Sequence, residues 1–240
     1  MSTRREITRA ATVAEIKQTA LRLMREQGTT NIRFADIARA MSMTAPALYR
    51  YFSGRDELLT GMIEDAWTDL ADELEKSLAD VHEPDPVAEF RAVCAAYRRW
   101  ALADTARLNL AFGLPVPGYA APAEGPHMDG AARAFSAIAG TVLHAEALGH
   151  PVTPLTPPMS PELCAELTRG KGVEHPPAAL SPELTQALLH TWASLHGFVT
   201  LEANGHFHWA SGQHTVQMFD GLVSGLAGYI GLIEPVRPAP

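Results

Sequence analysis

The chain has 240 residues, of which 47% are hydrophobic and 19% charged, and its 19 Lys and Arg against 27 Asp and Glu give a formal charge of -8. That length can bury a full core in one domain or two, and the composition lies well away from that of disordered chains. Two cysteines, Cys94 and Cys164, stand far apart in apolar or mixed helical stretches, which points to buried small hydrophobes and away from a disulfide framework or thiolate metal cluster.

The amino terminus, MSTRREITRA, is charged and no apolar run follows it, so a cytoplasmic protein is expected. The longest weakly polar stretch, 215–233, contains Gly221 and Gly225 at GxxxG spacing, but Gln217 and Asp220 interrupt it. It reads as a buried helix, and no membrane partner is expected.

Charge is unevenly distributed. Residues 1–55 hold ten Lys or Arg against four acids, a net of +6, so with a total of -8 the remainder carries -14. A small anion-binding module on an acidic body accounts for this, because local potential governs a contact within a Debye length of about 8 Å. Solvated helix faces account for the count equally well, and the helix pattern has to decide.

In chain order, Val13, Ile16, Ala20, Leu23 and Met24 recur at helical spacing, with Gly28 placed to stop the helix. Arg4, Arg5 and Arg9 precede this stripe, either as a mobile tail or as an arm reaching a minor groove. Phe34, Ile37, Ala38 and Met41 form one face of a second, short helix, and Ser42 and Met43 make a tight turn. Thr44 can cap a third helix of about nine residues, with Pro46 tolerated in its first turn. Leu48 and Phe52 face inward in that helix and leave Ala45, Pro46, Ala47, Tyr49, Arg50 and Tyr51 largely on the surface. Two short helices joined by a tight turn make a helix-turn-helix, about 33–52, whose second helix enters a DNA major groove. Ser53 with Asp56 suggests a capping box, and Leu59, Ile63, Leu70, Leu74 and Leu78 continue one apolar face into a long helix.

The run FADIARAMSMTAPALYRYFSGRDELL resembles the DNA-binding domain of the TetR family of bacterial transcriptional regulators, through Ile37 and Ala38, the Leu48, Tyr49, Tyr51, Phe52 core, and Arg55, Glu57 and Leu58. The resemblance implies an all-α homodimer: an amino-terminal three-helix helix-turn-helix domain (1–55) that binds a double-stranded DNA operator, followed by a larger helical ligand-binding and dimerisation domain (56–240). It also implies that Ala45, Pro46, Ala47 and Tyr49 face bases and that Tyr49, Tyr51 and Arg55 hold phosphates. Arg33 stands where a capping threonine is frequent, so the cap of the second helix is expected from Asn31 or Thr30, and Arg33 is free for a phosphate or groove contact. Ser42 stands where glycine is common. Because Ala45, Pro46 and Ala47 carry no hydrogen-bonding side chain, only apolar contact with thymine methyls is open to them, and Arg50 is the charged candidate for a base edge.

In the acidic remainder a helical stripe of Phe90, Val93, Cys94, Tyr97, Trp100 and Ala101 opens the run 87–112. The segments GLPVPGYAAPAEGP and HPVTPLTPPMSPELC read as loops on either side of a helix over 127–148. Two long helices, 182–204 and 214–232, follow. The first carries Leu184, Leu188, Trp192, Leu195 and Val199, with His196 and Gly197 beside them; the second carries Val216, Phe219, Val223, Leu226 and Ile230, with Gly221, Gly225 and Gly228 as a row of small residues suited to close helix approach. Paired with their copies, these helices could form a four-helix dimer interface, and TWASLHGFVTLEANGHFHW resembles the carboxy-terminal domain of one TetR subgroup. Trp100, Phe112, Phe135, Trp192 and His196 are either walls of a pocket for a small-molecule effector or ordinary packing.

Ten histidines raise the alternative of a helical ligand- or metal-processing enzyme, or a metal sensor, with a relic DNA-binding domain. No HExxH, CxxC, GxSxG, phosphate loop or dinucleotide fingerprint occurs, so no catalytic residue, metal ligand or cofactor is assigned. The expected protein is a regulator, a repressor released from a near-palindromic operator by a small apolar or amphipathic ligand, and not an enzyme.

Overall fold

The computed structural model describes residues 3–113, 119, 126–168 and 180–232. Regular structure among them is all helix: α1 (Arg4–Gln27), α2 (Phe34–Ala40), α3 (Ala45–Leu48), α4 (Arg55–Ala79), α5 (Pro86–Ala103), α6 (Thr105–Phe112), α7 (Pro126–Ala147), α8 (Pro161–Thr168), α9 (Pro182–Ala203) and α10 (Gly212–Tyr229). No described helix is long and apolar enough to cross a membrane. The chain divides into two compact units, Met1–Trp67 with Asp104–Ala123, and Thr68–Ala103 with Glu124–Pro240. Helix α4 belongs to both, whereas the sequence reading placed its boundary at residue 55, where this helix begins.

In the first unit, Ile16, Ala20 and Met24 of α1 meet Phe34, Ile37 and Ala38 of α2, Leu48 and Phe52 around α3, and Leu58, Leu59 and Met62 of α4 in one core. Helix α1 starts at Arg4 because Thr3 and Glu6 form a reciprocal capping box, so Arg4, Arg5 and Arg9 are helical and not a mobile tail. It stops at Gly28 in the left-handed conformation, φ 63°.

The run 87–112, opened by the helical stripe from Phe90 to Ala101, holds two helices. Asp104 adopts φ -153° and accepts the Arg107 N–H at 3.3 Å, which caps α6 as a separate helix. Burial alone would push its carboxyl up, but hydrogen bonds from the Arg25 guanidinium, that cation's charge and the Arg107 N–H together hold it below the usual carboxylate range. The α1 arginine thereby ties α6 to the first unit, and Leu110 joins its core.

In the second unit, α5 packs against α7, α9 and α10. Phe90, Val93, Cys94, Tyr97, Trp100 and Ala101 are buried as the stripe predicts. Helix α8 occupies part of what read as a proline-rich loop, because Pro161 suits a first helical turn and Ser160 accepts the Leu163 N–H. Val216 is 42% exposed, unlike Phe219, Val223, Leu226 and Ile230, so the α10 stripe is shorter than expected. Among the described residues, Gly221, Gly225 and Gly228 have no atom of another element within 4 Å of the position a Cβ would take, so no described helix makes the expected close approach to them. Apart from Tyr119, the segment 114–125 lies outside the described residues, as does the side chain of Cys164.

Candidate nucleic-acid interface

Helices α2 and α3 are joined by Met41, Ser42, Met43 and Thr44. The chain turns because Ser42 takes a left-handed conformation, φ 53°, while the Met43 N–H reaches back to the Ala38 carbonyl at 2.8 Å. An L side chain at such a φ is strained, which explains why glycine suits this turn. Thr44 is the N-cap residue of α3, but its hydroxyl makes no capping bond; its backbone carbonyl accepts from the Ala47 and Leu48 N–H groups instead. Helix α3 is four residues long, not nine, since the chain tightens into turns with Tyr51 N–H on the Leu48 carbonyl at 2.9 Å.

Leu48 is fully buried and Phe52 nearly so, which turns Thr44, Ala45, Pro46, Tyr49 and Arg50 to the surface and leaves Ala47 half-buried. Tyr49 is 56% exposed, with its ring edge supported by Phe34 at a centroid distance of 5.0 Å. Tyr51 and Arg55 are only partly outward. The Tyr51 ring packs against the core, and the Arg9 guanidinium lies 5.3 Å from its centroid. Nε and Nη2 of Arg55 are buried without hydrogen-bond partners among the described residues, so α4 starts on a packed cation.

At the other end of the motif, Arg33 is the N-cap residue of α2, and neither Asn31 nor Thr30 takes that place. The exposed Arg33 and Arg39 both reach the Asp36 carboxylate, at 2.9 and 3.0 Å. The hydrogen bond from Arg33, followed by the two cations' charge, outweighs desolvation and holds this carboxyl below its ordinary value. Arg33 is therefore accessible but shares a counter-ion. After α3, Glu57 and not Asp56 closes the turn, its carboxylate accepting the Ser53 N–H at 2.5 Å. That hydrogen bond lowers the Glu57 pKa, and Arg9 adds to the effect.

Residues 16–62 match the family described as bacterial regulatory proteins, tetR family, and residues 90–226 match the tetracyclin repressor-like C-terminal domain. The chain belongs to the TetR family. HTH-type transcriptional regulator Rv1816 of Mycobacterium tuberculosis (strain ATCC 25618 / H37Rv) is 38% identical over 109 residues, 45% of this chain and 47% of that protein, so the chain spans about half the length of the curated relatives it matches. The solved structure of regulatory protein SCO4313 superimposes with a TM-score of 0.71 at 32% identity, covering 94% of this chain and 100% of that one. RolR, solved in complex with resorcinol, shares the fold, with a TM-score of 0.51 at 18% identity over 93% of this chain and 89% of its own. The matched amino-terminal domain thus runs from within α1 through α2 and α3, the helix-turn-helix, into the start of α4.

Of the sequence-predicted effector residues, the second unit brings three together. The Tyr97 hydroxyl lies 2.6 Å from His196 Nδ1, and Trp192 stacks on His196 at 5.5 Å and meets Tyr97 at 5.2 Å. Trp100 stacks beside Tyr97 at 6.4 Å and donates its indole N–H to Asp69 at 2.8 Å. Phe112 belongs to the first unit, edge-on to Trp67 at 4.5 Å, and Phe135 is half-buried on α7. Tyr97 was visible in the sequence only as one more member of an apolar stripe. Its hydroxyl was the signal that a polar partner was needed. No group of three metal-binding side chains occurs among the described residues.

Proposed function

We propose that this TetR-family regulator is a repressor that binds a near-palindromic operator as a homodimer and leaves it when a small amphipathic molecule enters the second unit. The observation that carries the DNA reading is the α3 edge: Thr44, Ala45, Pro46, Tyr49 and Arg50 lie on the surface of a net-basic segment while Leu48 anchors them to the core. Apolar contact from Ala45, Pro46 and Ala47 with thymine methyls, a base-edge contact from Arg50, and phosphate contacts from Thr44, Tyr49, Tyr51, Arg55 and Arg33 are the roles proposed.

Pairing of copies through α9 and α10 is supported by the open, exposed row Gly221 and Gly225 beside exposed Val216. A second helix can approach closely there, and a two-fold dimer presents two reading helices to half-sites one turn of duplex apart, about 34 Å. The effector reading rests on the cluster Tyr97, Trp100, Trp192 and His196, which offers aromatic faces and polar handles; RolR, a neighbour in fold, holds resorcinol. Phe135, on α7 of the same unit, is proposed with it as an aromatic neighbour of an effector, whereas Phe112 belongs to the first unit. Release requires an effector that binds the two head spacings unequally, with α4, common to both units, carrying the change.

A mobility-shift titration of the full chain against the duplex upstream of its own gene tests this. Selective binding that Tyr49→Ala and Arg50→Ala weaken is expected, and affinity no better than for a scrambled duplex would end the regulator reading.

A further inference from the structure

We infer that the first two turns of α1 form a second phosphate-binding site, adjoining the α3 edge at Arg50, in which Arg4 and Arg5 hold the backbone of duplex DNA and Arg9 fixes Arg50 beside them. This deepens the DNA-binding reading above and rests on it.

A groove of about 650 Å³ is lined by Arg4, Arg5, Thr8, Arg9, Arg50 and Tyr51. The α1 members are spaced i, i+1, i+4 and i+5, so they share one helix face. The capping box at Thr3 and Glu6 fixes the start of that face, so its cations stand on a rigid helix beside the positive end of its dipole. Among the described residues no carboxylate lines the groove. The Glu6 carboxylate accepts the Thr3 N–H at 2.6 Å and borders the adjoining hollow with Val13, Lys17 and Asp65, which shares Arg9 with this groove but not Arg4, Arg5 or Arg50. Glu57 is engaged by the Ser53 N–H.

The four arginines are not equivalent. Arg9 Nη1 donates to the Arg50 carbonyl at 2.9 Å, while its guanidinium covers the Tyr51 ring. Arg9 therefore clamps the turn after α3 onto α1, and acts as a positioning residue. The guanidinium groups of Arg4, Arg5 and Arg50 enter no hydrogen bond or ion pair among the described residues. Adjacent cations without counter-charges repel one another, and an anion with several acceptor oxygens relieves that repulsion through paired N–H donors. Arg50 lies on both the α3 edge and this groove, so a strand whose bases meet α3 continues naturally to Arg5 and Arg4. The sequence separation of 41 between Arg9 and Arg50 is why no local pattern announced the site.

The test is fluorescence anisotropy of the full-length protein on its upstream duplex and on a scrambled duplex, across a salt series. Arg4→Gln/Arg5→Gln keeps helix formers at exposed positions. It is expected to lower the slope of log affinity against log salt by roughly one to two and to weaken both duplexes alike by about tenfold, as loss of phosphate contacts does. Arg9→Lys keeps the charge but cannot span both the carbonyl and the ring, and is expected to weaken the upstream duplex more than the scrambled one. An unchanged slope and affinity in the double variant, with wild type still preferring its upstream duplex, would overturn this site and leave the regulator reading standing. Loss confined to the upstream duplex in the double variant would equally overturn it, since that is base reading. Absence of any wild-type preference strikes the regulator reading instead, while the slope on scrambled duplex still reports on the groove.

Discussion

The Tyr97 hydroxyl and His196 Nδ1 are 2.6 Å apart in the second unit, and burial pushes the phenol up and the imidazole down from their ordinary pKa values. Both groups are thus held neutral and share one hydrogen bond, while Nε2 faces the Thr200 hydroxyl at 3.4 Å. Protonating His196 would place a charge where burial disfavours one. Because its folded pKa is depressed below 6.5, the unfolded chain binds the proton first, and stability falls as pH drops below 6.5 toward the folded value. Thermal melts of wild type and His196→Asn should converge as pH drops from 7.5 to about 5; a difference that stays constant across that range would remove the neutral-pair assignment.

Thr191 Oγ1 is fully buried and has no hydrogen-bond partner among the described residues. An unsatisfied buried hydroxyl costs about 1–3 kcal/mol, and valine has nearly the same shape without it. Thr191→Val is expected to raise stability by about 1 kcal/mol in denaturant titration, with destabilisation as the contrary result.

Ser42 holds φ 53° in the turn between α2 and α3. Glycine adopts that conformation without a Cβ clash, although it adds freedom to the unfolded chain. Ser42→Gly should stabilise by about 0.5–1 kcal/mol, while Ser42→Val, β-branched at the same φ, should lower the melting temperature. Equal melts for the two variants would contradict the strain.

Arg98 and Glu202 form a two-point pair, 2.7 and 2.5 Å, with both side chains largely withdrawn from solvent and Phe219 4.9 Å from the guanidinium. Removing one partner strands the other's charge. Arg98→Ala is therefore expected to cost about 3 kcal/mol or more, whereas Arg98→Met with Glu202→Leu should recover most of it. A double variant no better than the single one would mean that the lost packing of the arginine stem dominates.

Much of the first unit was readable because its signals are local. The stripe Ile16, Ala20, Met24, the stop at Gly28, and the pair Leu48 and Phe52 each lie within a few residues of the feature they specify. The failures were also physical. Thr44 has the right hydroxyl for a cap but its backbone carbonyl serves α3, and the nine-residue helix expected there shrinks to four as the chain tightens toward Phe52. Asp104 was given no role from the sequence, and its bonds to Arg25 and Arg107 reveal a cap.

From its residues alone this chain settles an all-helical architecture, the helix-turn-helix near its start and its TetR character, because apolar periodicity, caps and turn residues act over one or two helical turns. Tertiary packing decided that α6 returns to the first core, that Arg9 clamps the end of α3, and that Tyr97 finds His196. Those partners are separated by 79, 41 and 99 residues along the chain. A helical stripe states which side of a helix faces inward, but only the folded arrangement states what it meets there.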